Sequence, residues 1–110
     1  MTTPHSKRKR TAPKEYSQRK EMEKVFPSWD ADSLRYTVRW MMLEAESAKP
    51  GDWIESPLDV FPDFIALDFD GAGGILVNPQ TMTTPKGREL ALCLRLMLGD
   101  KVRVGIWSAA

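Results

Sequence analysis

The stretch from Thr84 to Trp107 constrains the fold more than any other. Thr84 is an N-cap type, Pro85 suits a first helical position, and Gly99 is a stop signal. The spacing therefore predicts a helix over 85–98. Leu90 to Met97 is apolar almost all round, broken chiefly by Arg95, which predicts burial on most sides. Beyond the turn at Gly99-Asp100, Val102, Val104 and Ile106 alternate with Arg103, Gly105 and Trp107, the pattern of a strand with one face in a core. A capped helix running straight into a strand favours a layered α+β arrangement, with room for one parallel crossover.

Upstream, Phe64 to Phe69 (FIALDF) reads as a buried strand and Ile75 to Val77 as a second. Asp70-Gly71-Ala72-Gly73-Gly74 between them reads as a turn whose glycines supply positive φ, so the pair is expected to form a hairpin. Asp52 to Glu55 is a candidate short strand, and residues 56–63 and 78–83 are expected to be loops.

A second helix is predicted from about Asp30 to Ala48, with Ser28, Asp30 and Asp32 as start signals and Lys49-Pro50-Gly51 as the stop. Leu34, Val38, Met41, Ala45 and Ala48 form one apolar stripe. Tyr36, Trp40 and Leu43 form another, roughly opposite, flanked by Arg35 and Arg39. Two readings fit this second stripe. Residues 15–29, with Met22, Val25, Phe26 and Trp29, fold back over it, or it meets a partner, since Trp, Tyr and Arg are enriched at binding hot spots. On the second reading Arg35, Tyr36, Arg39, Trp40 and Leu43 are the partner-binding residues.

The net charge of +1 conceals an asymmetry. Residues 1–24 carry eight Lys/Arg against three Glu, a local +5, and residues 25–110 carry eight against twelve Asp/Glu, a local −4. Residues 1–14 hold two prolines and no large apolar side chain after Met1, too little to offset the entropy of ordering, and residues 15–25 are good helix formers that end at Pro27. The expected organisation is a basic, largely disordered arm over 1–24 and one globular domain over 25–110. Lys7, Arg8, Lys9, Arg10, Lys14, Arg19 and Lys20 are the candidates for contact with nucleic acid or an acidic protein surface. A solubilising tail is the plain alternative, and in a eukaryotic cell Lys7 to Arg10 would also serve as a nuclear import signal.

Several chemistries find no support. One His and one Cys cannot furnish a zinc site or a disulfide, and His5 falls in the arm, away from any nucleophile it would have to activate. Cys93, mid-helix among leucines, reads as an inert core thiol. A calcium loop starting at Asp68 would place Pro79 where an EF-hand needs Glu. No apolar run reaches the roughly 18–20 residues of a membrane span, and no apolar segment follows the basic N-terminus as in a secretory signal. A cytoplasmic location, or a nuclear one in a eukaryote, is therefore expected, with no cofactor, no metal and no membrane contact.

Phe64 to Gly71 (FIALDFDG) also resembles the first motif of the haloacid dehalogenase-like phosphatases, a buried strand ending in Asp-x-Asp-Gly. The resemblance implies Asp68 as nucleophile and Asp70 as acid/base, with helix 85–98, strand 101–107 and Ser108 placed like the family's next units. It departs from the family at Ala72, where a Thr is usual, in the 63 residues that precede the motif, and in lacking room after Ser108 for the later lysine and metal-binding acids.

Taken together, the residues predict a small single α+β domain, two main helices packed on a short three- to four-stranded sheet, with a flexible basic arm. The expected role is a non-catalytic binding or regulatory protein that docks on another macromolecule, the arm serving as electrostatic tether. Its size and style suit an inhibitor of a host factor carried by a phage or mobile element. A nucleic-acid-binding accessory protein and a degenerate phosphatase fragment built on Asp68 and Asp70 are the alternatives.

Overall fold

The computed structural model describes residues 19–69 and 71–107, so Lys7, Arg8, Lys9, Arg10, Lys14 and Asp70 lie outside the described residues. Helix α1 covers residues 19–25. It is followed by α2 (Ala31–Ser47), β1 (Trp53–Ile54), β2 (Phe64–Phe69), β3 (Ala72–Val77), a 3-10 turn (Pro79–Thr83), α3 (Pro85–Leu98), a second 3-10 turn (Gly99–Lys101) and β4 (Val102–Val104). The strands form one sheet in the order β1-β2-β3-β4. β1 to β3 are antiparallel, and β4 joins β3 in parallel after the α3 crossover.

The helix ends follow local chemistry. Asp30 caps α2 by accepting from the Ser33 N–H at 3.1 Å, and Thr84 caps α3 by accepting from the Gly87 N–H at 3.2 Å. Gly99, at φ 66°, closes α3 with its N–H on the Arg95 carbonyl. The strand edges are continued by Gly51 N–H to Ala66 O and Gly105 N–H to Val77 O, at 2.8 and 2.9 Å.

Both helices lie on one face of the sheet. Ile54, Phe64, Ala66, Ile75, Val77 and Val102 from the sheet pack with Leu34, Val38, Met41, Ala45, Leu90 and Leu94 in a single buried cluster. At ~1.5–3 kcal/mol for each fully buried large side chain, this cluster is the main favourable contribution to folding. Phe26 and Trp29 close it from the N-terminal side. The Trp29 indole N–H donates to the Lys86 carbonyl at 2.9 Å, and the Lys86 ammonium sits 4.7 Å from the indole centroid.

Four expectations change. The hairpin turn is tighter than the glycine run suggested, because β3 begins at Ala72 and, among its glycines, only Gly71 has positive φ. Gly73 and Gly74 are strand residues, needed for close approach. A Cβ at Gly73 would lie 2.7 Å from the Ala45 carbonyl oxygen of α2, and one at Gly74 would lie 2.7 Å from the Phe69 ring on the opposite face. Residues 78–83 are largely the 3-10 turn, started by Asn78, whose side chain accepts from the Gln80 N–H, and by Pro79. Helix α3 is buried on one face only, through Leu90, Ala91, Cys93 and Leu94, while Leu92, Leu96 and Met97 are exposed. The terminal strand is short, and Ile106 points away from the core at 79% exposure.

Candidate docking surfaces

Three of the five candidate partner-binding residues on α2 meet at one place. Arg35, Arg39 and Leu43, with Met22 from α1, Met42 from α2 and Met97 from α3, line a groove of about 380 Å³ where the three helices converge. Val38 and Cys93 also line it, and Glu46 stands at its rim. Leu43 and Met97 are 58% and 60% exposed, so its apolar lining opens to solvent. Neither Arg35 nor Arg39 forms a hydrogen bond or ion pair with a described residue. Burial pushes the Cys93 thiol above its ordinary value of 9.0, which fits an unreactive thiol.

The other two candidates, both from the stripe, lie outside the groove. Tyr36 is 74% exposed and stands outside the groove, about 100° round the helix from Arg35. Trp40 is half-buried and packs against the core. The fold-back is partial: Phe26, Trp29 and Met22 return to the helical layer, but they leave Tyr36 and Leu43 uncovered. Arg19 pairs with Asp32 across α1 and α2 at 3.5 Å, and Lys20 is an exposed residue of α1. Arg19 and Lys20 thus stand on α1, the helix whose Met22 lines the groove.

The opposite face of the sheet is a surface that sequence reasoning did not identify. An antiparallel sheet with one solvated face ordinarily alternates apolar inward with polar outward. Here the outward positions are apolar too. Trp53, Ile65 and Leu76 stand in register across β1, β2 and β3. Leu67, Phe69 and Trp107 continue the surface. A hollow of about 540 Å³ opens among Trp53, Ile65, Leu76, Ile106 and Trp107, with Asp63 on its rim. The Trp107 ring rests against Gly51, where a Cβ would come within 3.1 Å. The signal was present in the six residues of β2, where only Asp68 is polar, but a strand apolar on both faces reads from sequence as one covered on both faces.

The acidic motif at the hairpin has a local role. The Asp68 carboxylate accepts from the Gly71 N–H at 3.1 Å, bracing the turn. The phosphatase resemblance implies a parallel strand ending at Asp68. β2 is instead antiparallel to both neighbours and doubles back directly into β3, so no helix starts after Asp68. Among the described residues no three His, Cys, Asp or Glu side chains gather as a metal set, and no helix is long and apolar enough to cross a membrane. Comparison with protein-family models, with curated proteins and with solved structures finds no match.

Proposed function

We propose that the chain is a small non-catalytic binding protein, a regulator that docks on another macromolecule through the groove between α1, α2 and α3. One observation carries the reading: a methionine-lined apolar groove, open to solvent, is flanked by two arginines that pair with no described residue. Methionines adapt to irregular partner surfaces at little cost. A groove formed between helices suits the apolar face of an amphipathic helix, and Arg35 and Arg39 select one whose flank is acidic. Lys7 to Arg10 precede α1 in the sequence, and as a tether they would add long-range attraction for the same acidic partner.

Capture of partners from source-cell lysate tests this, using the full chain, an Arg35→Glu/Arg39→Glu variant, and a variant with Lys7, Arg8, Lys9 and Arg10 replaced by Ser. A partner whose recovery falls in both variants, and whose salt dependence flattens in the second, is the expected result. Equal recovery with all three proteins removes the groove and the tether together. Binding of a random-sequence DNA duplex, lost in the four-Ser variant and retained in the arginine variant, would favour the nucleic-acid accessory reading. For the phosphatase reading, magnesium-dependent phosphate release abolished by Asp68→Asn would be required.

A further inference from the structure

We infer that the hollow at the Asp63 end of the open sheet face is a binding site for a small organic cation, a substituted ammonium carried on an apolar body. The site lies across the sheet from the groove between α1, α2 and α3 and does not depend on it.

The hollow has a floor and two walls. Ile65 and Leu76, in register on β2 and β3, form the floor, with Trp53 beside Ile65 on β1. One wall is the loop between β1 and β2, which is closed on itself. The Ser56 N–H donates to Asp63 Oδ1 at 2.9 Å, the Ser56 hydroxyl accepts from the Leu58 N–H at 3.2 Å, and Leu58 is buried. That closure holds Phe61 and Asp63 at the hollow. The other wall is the chain after β4. Gly105 stays on the sheet through the Val77 carbonyl, and the Trp107 ring then reaches across the face to Gly51, just before β1. The volume of about 540 Å³ falls within the roughly 300–1,000 Å³ of small-molecule sites, which are mostly apolar with a few polar groups.

Charge selects the ligand. Trp53, Phe61 and Trp107 bring three aromatic rings to one hollow, and the face of an aromatic ring attracts cations. Asp63 adds a carboxylate whose Oδ2 bonds to no described residue. Among the described residues no Lys or Arg lines the hollow, and no cation sits over any of the three rings. Residues 52–63 also carry Asp52, Glu55 and Asp59, all exposed, and no Lys or Arg, so the field at this end of the sheet is negative. Arg103 does not offset it. Its guanidinium lies 5.1 Å from the Phe69 ring, at the far end of β2 from Asp63. An anion would meet like charge in the hollow, and a neutral apolar molecule would use the rings but leave Asp63 unpaired. A cation with an apolar body uses both.

The full chain is titrated with benzyltrimethylammonium, and with benzyl alcohol and phenylacetate as neutral and anionic counterparts carrying the same ring. Nuclear magnetic resonance shifts of the amide and indole N–H groups follow binding. The cation should give saturable shifts at Trp53, Asn78 and Trp107, with an affinity at least about tenfold above that of either counterpart. Asp63→Asn keeps an acceptor for the Ser56 N–H and removes the charge. It should weaken the cation at least about fivefold and leave benzyl alcohol unaffected. Trp53→Ala trims a side chain already 74% exposed and should weaken the cation by a similar factor. The spread of the amide signals confirms that each variant is folded. No binding of the cation, shifts confined to other residues, or a counterpart bound as tightly as the cation would each overturn the inference. So would an undiminished affinity in Asp63→Asn. Arg35→Glu/Arg39→Glu should bind the cation as the parent does, so failure here leaves capture through the groove untouched.

Discussion

Glu89 grips Ser28 with both carboxylate oxygens. Oε1 accepts from the Ser28 N–H at 2.8 Å and Oε2 accepts from its hydroxyl at 2.7 Å, across 61 residues of sequence. Together with the Trp29 indole on the Lys86 carbonyl, this clasp fixes the segment that carries Phe26 and Trp29 onto the first turns of α3. Glu89→Ala should therefore cost about 1–2 kcal/mol, the scale of charge-assisted hydrogen bonds at a wet site. Urea unfolding measures it. The same variant should enhance proteolysis near Pro27 before the rest of the domain opens. Unchanged stability and unchanged cleavage would show that Phe26 and Trp29 hold the segment without the clasp.

Leu94 is fully buried on the inner face of α3. Leu94→Ala should destabilise by about 2–5 kcal/mol, the range for large-to-small changes in tight cores. Leu96→Ala, at a position 66% exposed two residues on, should change stability by less than about 0.5 kcal/mol. Thermal melts of the pair read which face of the helix is buried. A comparable loss from both would contradict the one-sided burial of α3.

Two backbone positions should respond in opposite directions. Gly73→Ala thrusts a methyl against the Ala45 carbonyl and should cost about 1–3 kcal/mol by pushing α2 off the sheet. Val60 holds φ at 63° with its side chain 90% exposed, a conformation costly for a β-branched residue. Val60→Gly removes that strain and should be stabilising by about 0.5–1 kcal/mol after the added freedom of the unfolded chain is counted. Denaturant midpoints that shift the same way for both would refute this account of the backbone.

Burial raises the Cys93 thiol above its ordinary value of 9.0. Its folded pKa is raised, so the stability it contributes is fully present below the unfolded value. Above that pH the unfolded chain ionises while the folded thiol stays protonated, and the contribution falls until the folded pKa is passed. The parent should thus lose stability relative to Cys93→Ala as pH rises beyond 9.0. Native protein should react slowly with a thiol reagent at neutral pH, and much faster in urea. Parallel stability profiles for the two proteins, or a fast native reaction, would place Cys93 in an open site.

Much of the architecture was legible because its cause is local. Asp30, Thr84, Pro85 and Gly99 set the helix limits through hydrogen bonds and dihedral preferences spanning a few residues, and α3 runs from Pro85 to Leu98 as that chemistry dictates. The short apolar run FIALDF marked β2 at Phe64–Phe69 in the same way. The groove was half legible. Arg35, Arg39 and Leu43 could be picked out on α2, but Met22 and Met97 reach them from 13 residues before Arg35 and 54 residues after Leu43, and only packing brings them together. Periodicity reports that a position is apolar without saying what covers it. The sequence thus determined the elements, their caps and an apolar character on both faces of β2. The tertiary structure decided that both helices occupy one face, because Gly73 lets α2 approach the sheet there, and that Trp53, Ile65, Leu76 and Trp107 are left facing outward on the other.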